Sequence, residues 1–579
     1  LVRDLADFFR KPNAPLQRRY EALRAYLLEE LSAAEVARRF GYTAGSLRVL
    51  AARLHEETPE TYFRDIPHGP KERPARGTLQ EAVLPLRRQG LSILEISERL
   101  RAERGMGSPH TVWLILREAG IERLPRRTRE ERARAGTKLP LPVADVRAFT
   151  LPVGERVRCH APLVFLFASF LAEFDIDRVA RAARYRSTRM IPAPAALRAL
   201  LLLKLLFRDR KNHVMDIAED RALAWFVGLN AVPKVTTLSA YSYWCGPRPH
   251  RSLLQALVRH RDREKGYPSL SFNLDFHTIR HYGDPGVSRL EKNYVPRRSQ
   301  SVPSVLVAYA QEEGSQELVY ARANLLKREK ADEVVRFLEF WEGSTGKTPE
   351  ELVFDSKMTT EAGLAQLVEK RVTFLTLRDR RPEEVKRVLA LPDSSWKTVE
   401  LDLPHREYRH PRVWEETVKL AGVPRRLRQI VARDMGKELP MFLLTNDRKR
   451  AAATLLSRYP LRTHIENSIQ EQVGMFHVDA LASSVRLKVE MDVVLDVLAS
   501  AAYRWMAHQL RGFEKAEAIT IWERFLNRGG HVRLEKDEVV LEVEPFNRAP
   551  VLLESPLLRP STPIPWLGDR RVRVELRRA

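Results

Sequence analysis

Between Ser269 and Asp355 the hydrophobic pattern changes period, and that change restricts the fold more than any other feature of the chain. Upstream, apolar residues recur at helical spacing. From there SLSFNLDF at 269–276, SVLVAYA at 304–310 and ELVYARAN at 317–324 alternate or run apolar, a helical stretch covers 328–342, and ELVFD follows at 351–355. Three strands, a helix and a further strand predict a mixed α/β sheet.

Around that sheet the 579 residues leave room for two to four domains. Residues 1–122 read as two helix-turn-helix units in tandem, an all-α DNA-binding region. Ser32 caps a helix over Ala33 to Phe40, Gly41 breaks it and Thr43 starts the next; Ser92 starts a second pair, which turns through Gly105 and Gly107, restarts at Ser108-Pro109 and stops at Gly120. A basic linker is expected over 123–149 and an apolar helical domain over 150–265. The α/β core is placed at 266–513, with a β-rich insertion at about 371–445. A C-terminal region, 514–579, carries one β-hairpin turning at Lys536 and Asp537.

Lys and Arg number 98 against 75 Asp and Glu, a net charge of +23 spread along the chain, and such a chain attracts polyanions, DNA or RNA first. With only Cys159 and Cys245, a disulfide framework and a cysteine zinc site are excluded, and a reducing cytoplasm fits. The most apolar runs, 161–174 and 195–207, fall short of the roughly 20 residues of a membrane span, so no membrane partner is expected. No GxxxxGK[ST] phosphate loop indicates an ATPase.

The acidic residues carry the chemistry. One way to cut a phosphodiester is with carboxylates that hold two hard cations about 3.5–4 Å apart, which suits Mg²⁺, with Mn²⁺ as the alternative. Asp275 lies at the end of one apolar strand and Asp355 ends another, while Glu466 falls in a helix beyond the β-rich block. His277 and His281 follow Asp275, but no third His or Cys completes a zinc set. Glu466 and Glu471 share one helical run and differ by roughly 140° around it. Glu466 borders the stripe Ile465, Ile469, Val473 and Phe476, which leaves Glu471 expected to face solvent.

Tyr459, Arg462 and Glu466 stand in YPLRTHIENSI, which resembles the Y-x2-R-x3-E core of the YREK signature of DDE-superfamily insertion-sequence transposases. The blocks LDFHTIRHYGDP, ELVFDSKMTT, FLTLRDR, MFLLTND and FHVDALASSV extend the resemblance over roughly residues 150 to 550. It implies a ribonuclease-H-like core interrupted by the β-rich insertion, with Asp275, Asp355 and Glu466 as ligands of two metal ions and Tyr459 and Arg462 near DNA phosphates. The signature Lys is replaced by Val473.

The resulting expectation is a transposase that cuts and joins strands. Its partners are double-stranded DNA, both inverted-repeat ends and target, and further copies of itself in a synaptic complex. The alternatives are a DNA-binding regulator with an inactive core and a ribonuclease-H-like nuclease. End recognition falls to the later helix of each N-terminal pair, through Thr43, Ser46 and Arg48 and through His110, Thr111 and Arg117. Trp396 and Trp414, in the insertion, are the candidates for stacking a displaced base.

Overall fold

The computed structural model describes residues 12, 15–56, 74–122, 124, 149–208, 211–281, 290–295, 300–403, 408–436, 438–480, 486–559 and 561–577. The chain divides into two compact units, Leu1–Leu139 and Pro140–Ala579. Most of the expected basic linker lies outside the described residues.

The first unit is all helical: α1 (Pro15–Leu27), α2 (Ala33–Phe40), α3 (Ala44–Glu56), α4 (Pro74–Arg88), α5 (Ile93–Arg104) and α6 (Pro109–Glu118). Local chemistry sets the ends. The Ser32 hydroxyl accepts the Glu35 N–H, and Ser92 forms a reciprocal capping box with Glu95. Ser108 caps α6, with Pro109 in its first turn. Gly107 is required as glycine: its φ is +109°, and a Cβ there would meet the Leu100 side chain at 3.0 Å. Two small cores result. Ala22, Val36, Phe40 and Leu47 hold α1 to α3, and Val83, Ile96, Leu100, Val112 and Ile115 hold α4 to α6.

The second unit opens with β1 (Arg156–Cys159) and then α7 (Leu166–Glu173), α8 (Ile176–Ala182), α9 (Ala193–Leu205), α10 (Arg221–Val227), α11 (Val235–Trp244) and α12 (Pro247–Glu264). Every residue of α9 is buried. Its two cations are accommodated by partners, Arg198 by Asp177 and Lys204 by Asp496. Among the described residues no helix is long and apolar enough to cross a membrane.

A ten-stranded mixed sheet follows. Its strands are β2 (Ser271–Arg280), β3 (Lys292–Val295), β4 (Gln300–Glu312), β5 (Leu318–Leu325), β6 (Glu351–Phe354), β7 (Thr373–Leu377), β8 (Lys397–Thr398), β9 (Arg412–Val418), β10 (Leu427–Arg433) and β11 (Met441–Thr445). Helices α13 (Glu333–Thr345), α14 (Glu361–Glu369) and α15 (Pro382–Leu389) lie between strands, and α16 (Ala452–Arg458), α17 (His464–Gly474), α18 (Arg486–Ala507) and α19 (Ala518–Ile521) come after them. β4 pairs antiparallel with β5 on one side and β2 on the other; β6 is parallel to β2, and β7 is parallel to β6. Right-handed crossover helices between parallel strands are the usual solution for this connectivity, and α14 is the β6-to-β7 connection.

Three expectations change here. β2 does not end at Asp275 but runs five residues further, because FHTIR keeps pairing with β4 as far as Arg280↔Ser304. The segment FLTLR is not insertion: as β7 it belongs to the parallel part of the sheet. The later β-rich strands do not form a separate module either, since β11 pairs antiparallel with β7 and carries β10, β9 and β8 outward as an extension of one sheet.

A smaller, four-stranded sheet joins β1 to β12 (Gly530–Leu534), β13 (Glu538–Val543) and, after α20 (Ala549–Leu553), β14 (Arg571–Leu576). The hairpin β12–β13 turns at 535–537, yet β1 adds antiparallel to its other edge, Val157 opposite Val532. The expected helical domain at 150–265 and C-terminal region at 514–579 therefore share one sheet and one hydrophobic core. A four-residue strand, RVRC, carries too few residues to register as a period.

Candidate active site

Alternation along β2 places Asn273, Asp275 and His277 on one face, away from Phe272, whose ring packs 5.2 Å from Phe337 and 4.4 Å from Trp341 of α13. The polar face lies under the segment that joins α16 to α17. Arg458, the last residue of α16, donates from Nε to Glu351 Oε1 at 2.8 Å, from Nη1 to Asn273 Oδ1 at 3.1 Å and from Nη2 to Ser271 Oγ at 3.1 Å. Arg458 thereby binds β2 and β6 together beneath the site.

The two aspartates come level with each other through strand register. β2 and β6 pair in parallel as Ser271↔Glu351, Phe272↔Leu352 and Asn273↔Val353, and the same offset carried two residues on sets Asp275 beside Asp355. Asp355 stands just past the end of β6, where its carboxylate accepts the Lys357 N–H at 2.9 Å and caps a short 3₁₀ turn. Burial raises the Asp275 carboxyl above its ordinary range; Arg462 pulls it back and the charge of Asp355 adds to the rise.

Tyr459 and Arg462 follow Arg458 in a single 3₁₀ stretch, Tyr459–Thr463, and both meet the aspartates. Arg462 Nη1 lies 2.5 Å from Asp275 Oδ2. Burial works against the guanidinium charge, but Asp275, Tyr459 and Asp355 together raise its affinity for the proton. Tyr459 is buried, which pushes its hydroxyl up to about 12, and its ring lies 5.8 Å from Arg462. Asp275, Asp355, Tyr459 and Arg462 are thus gathered in one place.

Glu466 lies four residues after Arg462, in the first turn of α17, with its side chain exposed. Among the described residues no three His, Cys, Asp or Glu side chains gather closely enough to enclose one ion. Glu471 is not on a solvent face. Its side chain is 7% exposed, 3.7 Å from Arg504 of α18, and accepts the Ala518 N–H at 2.8 Å where α19 begins. The stripe of Ile465 and Ile469 accounts for only one side of α17; α18 and α19 cover another, which a single helical stripe does not reveal. Val473 is half-buried against the core. Lys330 also feels the charge of Asp355; burial, and then the charge of Lys357, lowers the Lys330 ammonium.

No protein-family model matches this chain, and no curated protein does. Among solved structures, a cryo-EM structure of a piggyBac transposase synaptic complex with hairpin DNA aligns over 64% of this chain and 82% of that chain, at 9% sequence identity and a TM-score of 0.35.

The proposed DNA-binding residues fare unevenly. Trp396 is 7% exposed, packed with Val388, Val431 and Phe442 under the Arg433 guanidinium, so its ring has no free face for a base. Trp414 packs at the margin of the same cluster, with Arg387 5.3 Å above it. In the first unit Thr43 and Ser46 bond each other at 2.8 Å, and Thr111 bonds Ser108 at 2.9 Å, so these hydroxyls complete helix caps. Arg48, His110 and Arg117 are exposed. Trp113, not among the sequence candidates, is 39% exposed between His110, stacked at 5.8 Å, and Arg117 at 5.2 Å. Also unforeseen is Asp479, whose Oδ1 lies 2.8 Å from His277 Nε2.

The two glutamates of α17 separate cleanly by experiment. Glu471→Gln loses the charge that faces Arg504 and weakens the bond to Ala518, and should cost about 1–3 kcal/mol in denaturant unfolding. Glu466→Gln should stay within about 0.5 kcal/mol of the parent, as exposed substitutions do. Equal stability of the two variants would contradict the packing of α17 described above.

Proposed function

We propose that this chain is a DNA transposase of the DDE type, with a ribonuclease-H-like core in which Asp275, Asp355 and Glu466 hold divalent metal. The observation that carries the reading is the pairing of β2 with β6, which sets two carboxylates level at the centre of a sheet ordered β5-β4-β2-β6-β7, directly under the Tyr459–Arg462 segment. Hard oxygen donors of this kind fit Mg²⁺ or Mn²⁺, and the Arg462 guanidinium beside Asp275 is itself a cation drawn to the same carboxylate. Metal held by these residues would polarise the phosphate and neutralise charge developing on the attacking and leaving oxygens.

The protein's own groups supply the rest. Glu466, one turn beyond Arg462 and exposed, would have to turn inward to join the aspartates around the metal. Arg462, when freed from Asp275, would turn its planar donors to a DNA phosphate, and Tyr459 would support it from the side. The sheet extension β11-β10-β9-β8 and its arginines would lie along the DNA near its end. In the first unit Arg48, His110, Trp113 and Arg117 would read or grip the transposon ends.

The test uses duplex DNA carrying the inverted repeats that flank the coding region, incubated with the full chain in Mg²⁺ or in EDTA. Metal-dependent release of the end, followed by its joining to a plasmid, is the expected result. Residues 123–579 alone should lose preference for those ends. A chain that binds the ends yet leaves them intact in both Mg²⁺ and Mn²⁺ is a regulator instead, and cleavage without joining makes it a nuclease.

A further inference from the structure

A cavity of about 230 Å³ lies at the outer edge of β5, walled by α12, β5, α13 and α18. None of these elements carries Asp275, Asp355 or Glu466. Four arginines line it: Arg248 and Arg251 from the first turns of α12, Arg322 from β5 and Arg336 from α13. So many guanidinium groups around so small a space repel one another unless anions intervene, so the available carboxylates decide what the cavity can hold.

Those carboxylates are few and already engaged. Arg322 is neutralised by Glu333 at 2.7 Å and Glu329 at 3.4 Å. Arg336 pairs loosely with Asp332, at 3.9 Å, and its Nε is buried without a hydrogen-bond acceptor. Among the described residues Arg248 and Arg251 are exposed and make no ion pair or hydrogen bond. The remaining acid in the wall, Glu490, is pushed up to about 7 by burial, so near neutrality its negative charge is only partly present. The N-terminus of the 18-residue α12 adds its own positive end to the cavity. The space has unsatisfied planar donors, a net positive field and room for one small anion.

Two exposed aromatics precede the cavity's Pro247 in the chain, by four and three residues. Tyr243 is 50% exposed and Trp244 is 40% exposed, at the end of α11 and just before Pro247. Lys488, two residues before Glu490 on α18, lies 4.2 Å from the Tyr243 ring. Basic grooves interleaved with exposed aromatic rings are the construction by which proteins hold unpaired strands: phosphates sit on the cations and bases stack on the rings.

We propose that this cavity binds a backbone phosphate of a single-stranded nucleic acid, whose neighbouring base stacks on Tyr243 or Trp244. The site is independent of the metal centre and would serve a strand opened or displaced during the reaction.

The test measures binding of the full chain to a fluorescein-labelled 20-nucleotide oligothymidylate and to a 20-base-pair duplex, in EDTA so that metal chemistry plays no part. Arg248→Ala with Arg251→Ala, both exposed, should weaken oligothymidylate binding about tenfold and lower its salt slope by roughly 0.7 for each phosphate no longer neutralised. Duplex binding should change little. Tyr243→Ala with Trp244→Ala should weaken the same oligonucleotide about tenfold. Unchanged single-strand affinity and slope in the arginine variant overturns the proposal, as does an equal loss for duplex. If inorganic pyrophosphate displaces the oligonucleotide and the aromatic variant binds normally, the cavity takes free phosphate and the strand assignment falls. None of these outcomes depends on whether Asp275 and Asp355 bind metal.

Discussion

Replacing Asp355 with Asn should reduce Mg²⁺-dependent strand cleavage about a thousandfold and leave DNA binding unchanged, since the metal's contribution to such a step is several kcal/mol. Asparagine fits the position: it caps a turn as well as aspartate does, so the bond to the Lys357 N–H survives and only the charge goes. Asp275→Asn should lose as much activity and also lower the melting temperature, because it leaves the Arg462 guanidinium without its carboxylate in a largely buried place. The two variants should therefore match in rate and differ in stability. Cleavage within about tenfold of the parent in either variant, in Mg²⁺ or Mn²⁺, would remove that carboxylate from the site.

Arg458→Ala should destabilise the second unit by about 2–3 kcal/mol, the cost of losing hydrogen bonds to a charged group in a buried place. The side chain and its partner Glu351 are each 9% exposed, and the same guanidinium also reaches Glu313 at 2.9 Å, Asn273 and Ser271. Removing it strands the Asn273 carbonyl on β2, while Glu351 on β6 keeps Arg450 and the Ser271 hydroxyl as partners. Cleavage should fall too, since Tyr459 follows at once and takes its place from the end of α16. Denaturant unfolding followed by tryptophan fluorescence reads the effect. A loss below about 1 kcal/mol, the range of an exposed pair, would show that Arg458 is not the tie described here.

What could be read in the chain beforehand was whatever local chemistry decides. Ser32, Ser92 and Ser108 announce helix starts because a hydroxyl three residues ahead of a free N–H is a short-range interaction, and Gly41 and Gly105 mark ends for a similar reason. The strands β4, β5 and β6 were legible because each buries a run of apolar side chains. Asp355 was legible as the residue after such a run. Pairing across distance was not. β7 could be placed beside β6 only by its partner, β1 only by β12, and Glu471 only by Arg504 of α18. Composition could show that tryptophans were present but not that Trp396 lies buried under Arg433 while Trp113, Tyr243 and Trp244 face outward.

The pairing of β1 with β12 also sets a timetable for synthesis. Val157 leaves the ribosome some hundreds of residues before Val532, its partner, and at about 5–20 residues per second that interval is on the order of tens of seconds. Through all of it the hydrogen-bonding edge of β1 is unmatched, a template for the wrong strand. A chaperone that shields residues 156–159 on the nascent chain would act at the moment when this protein is easiest to lose. A message truncated before the codon for Gly530 would yield a chain whose ten-stranded sheet is fully encoded but whose small sheet can never close.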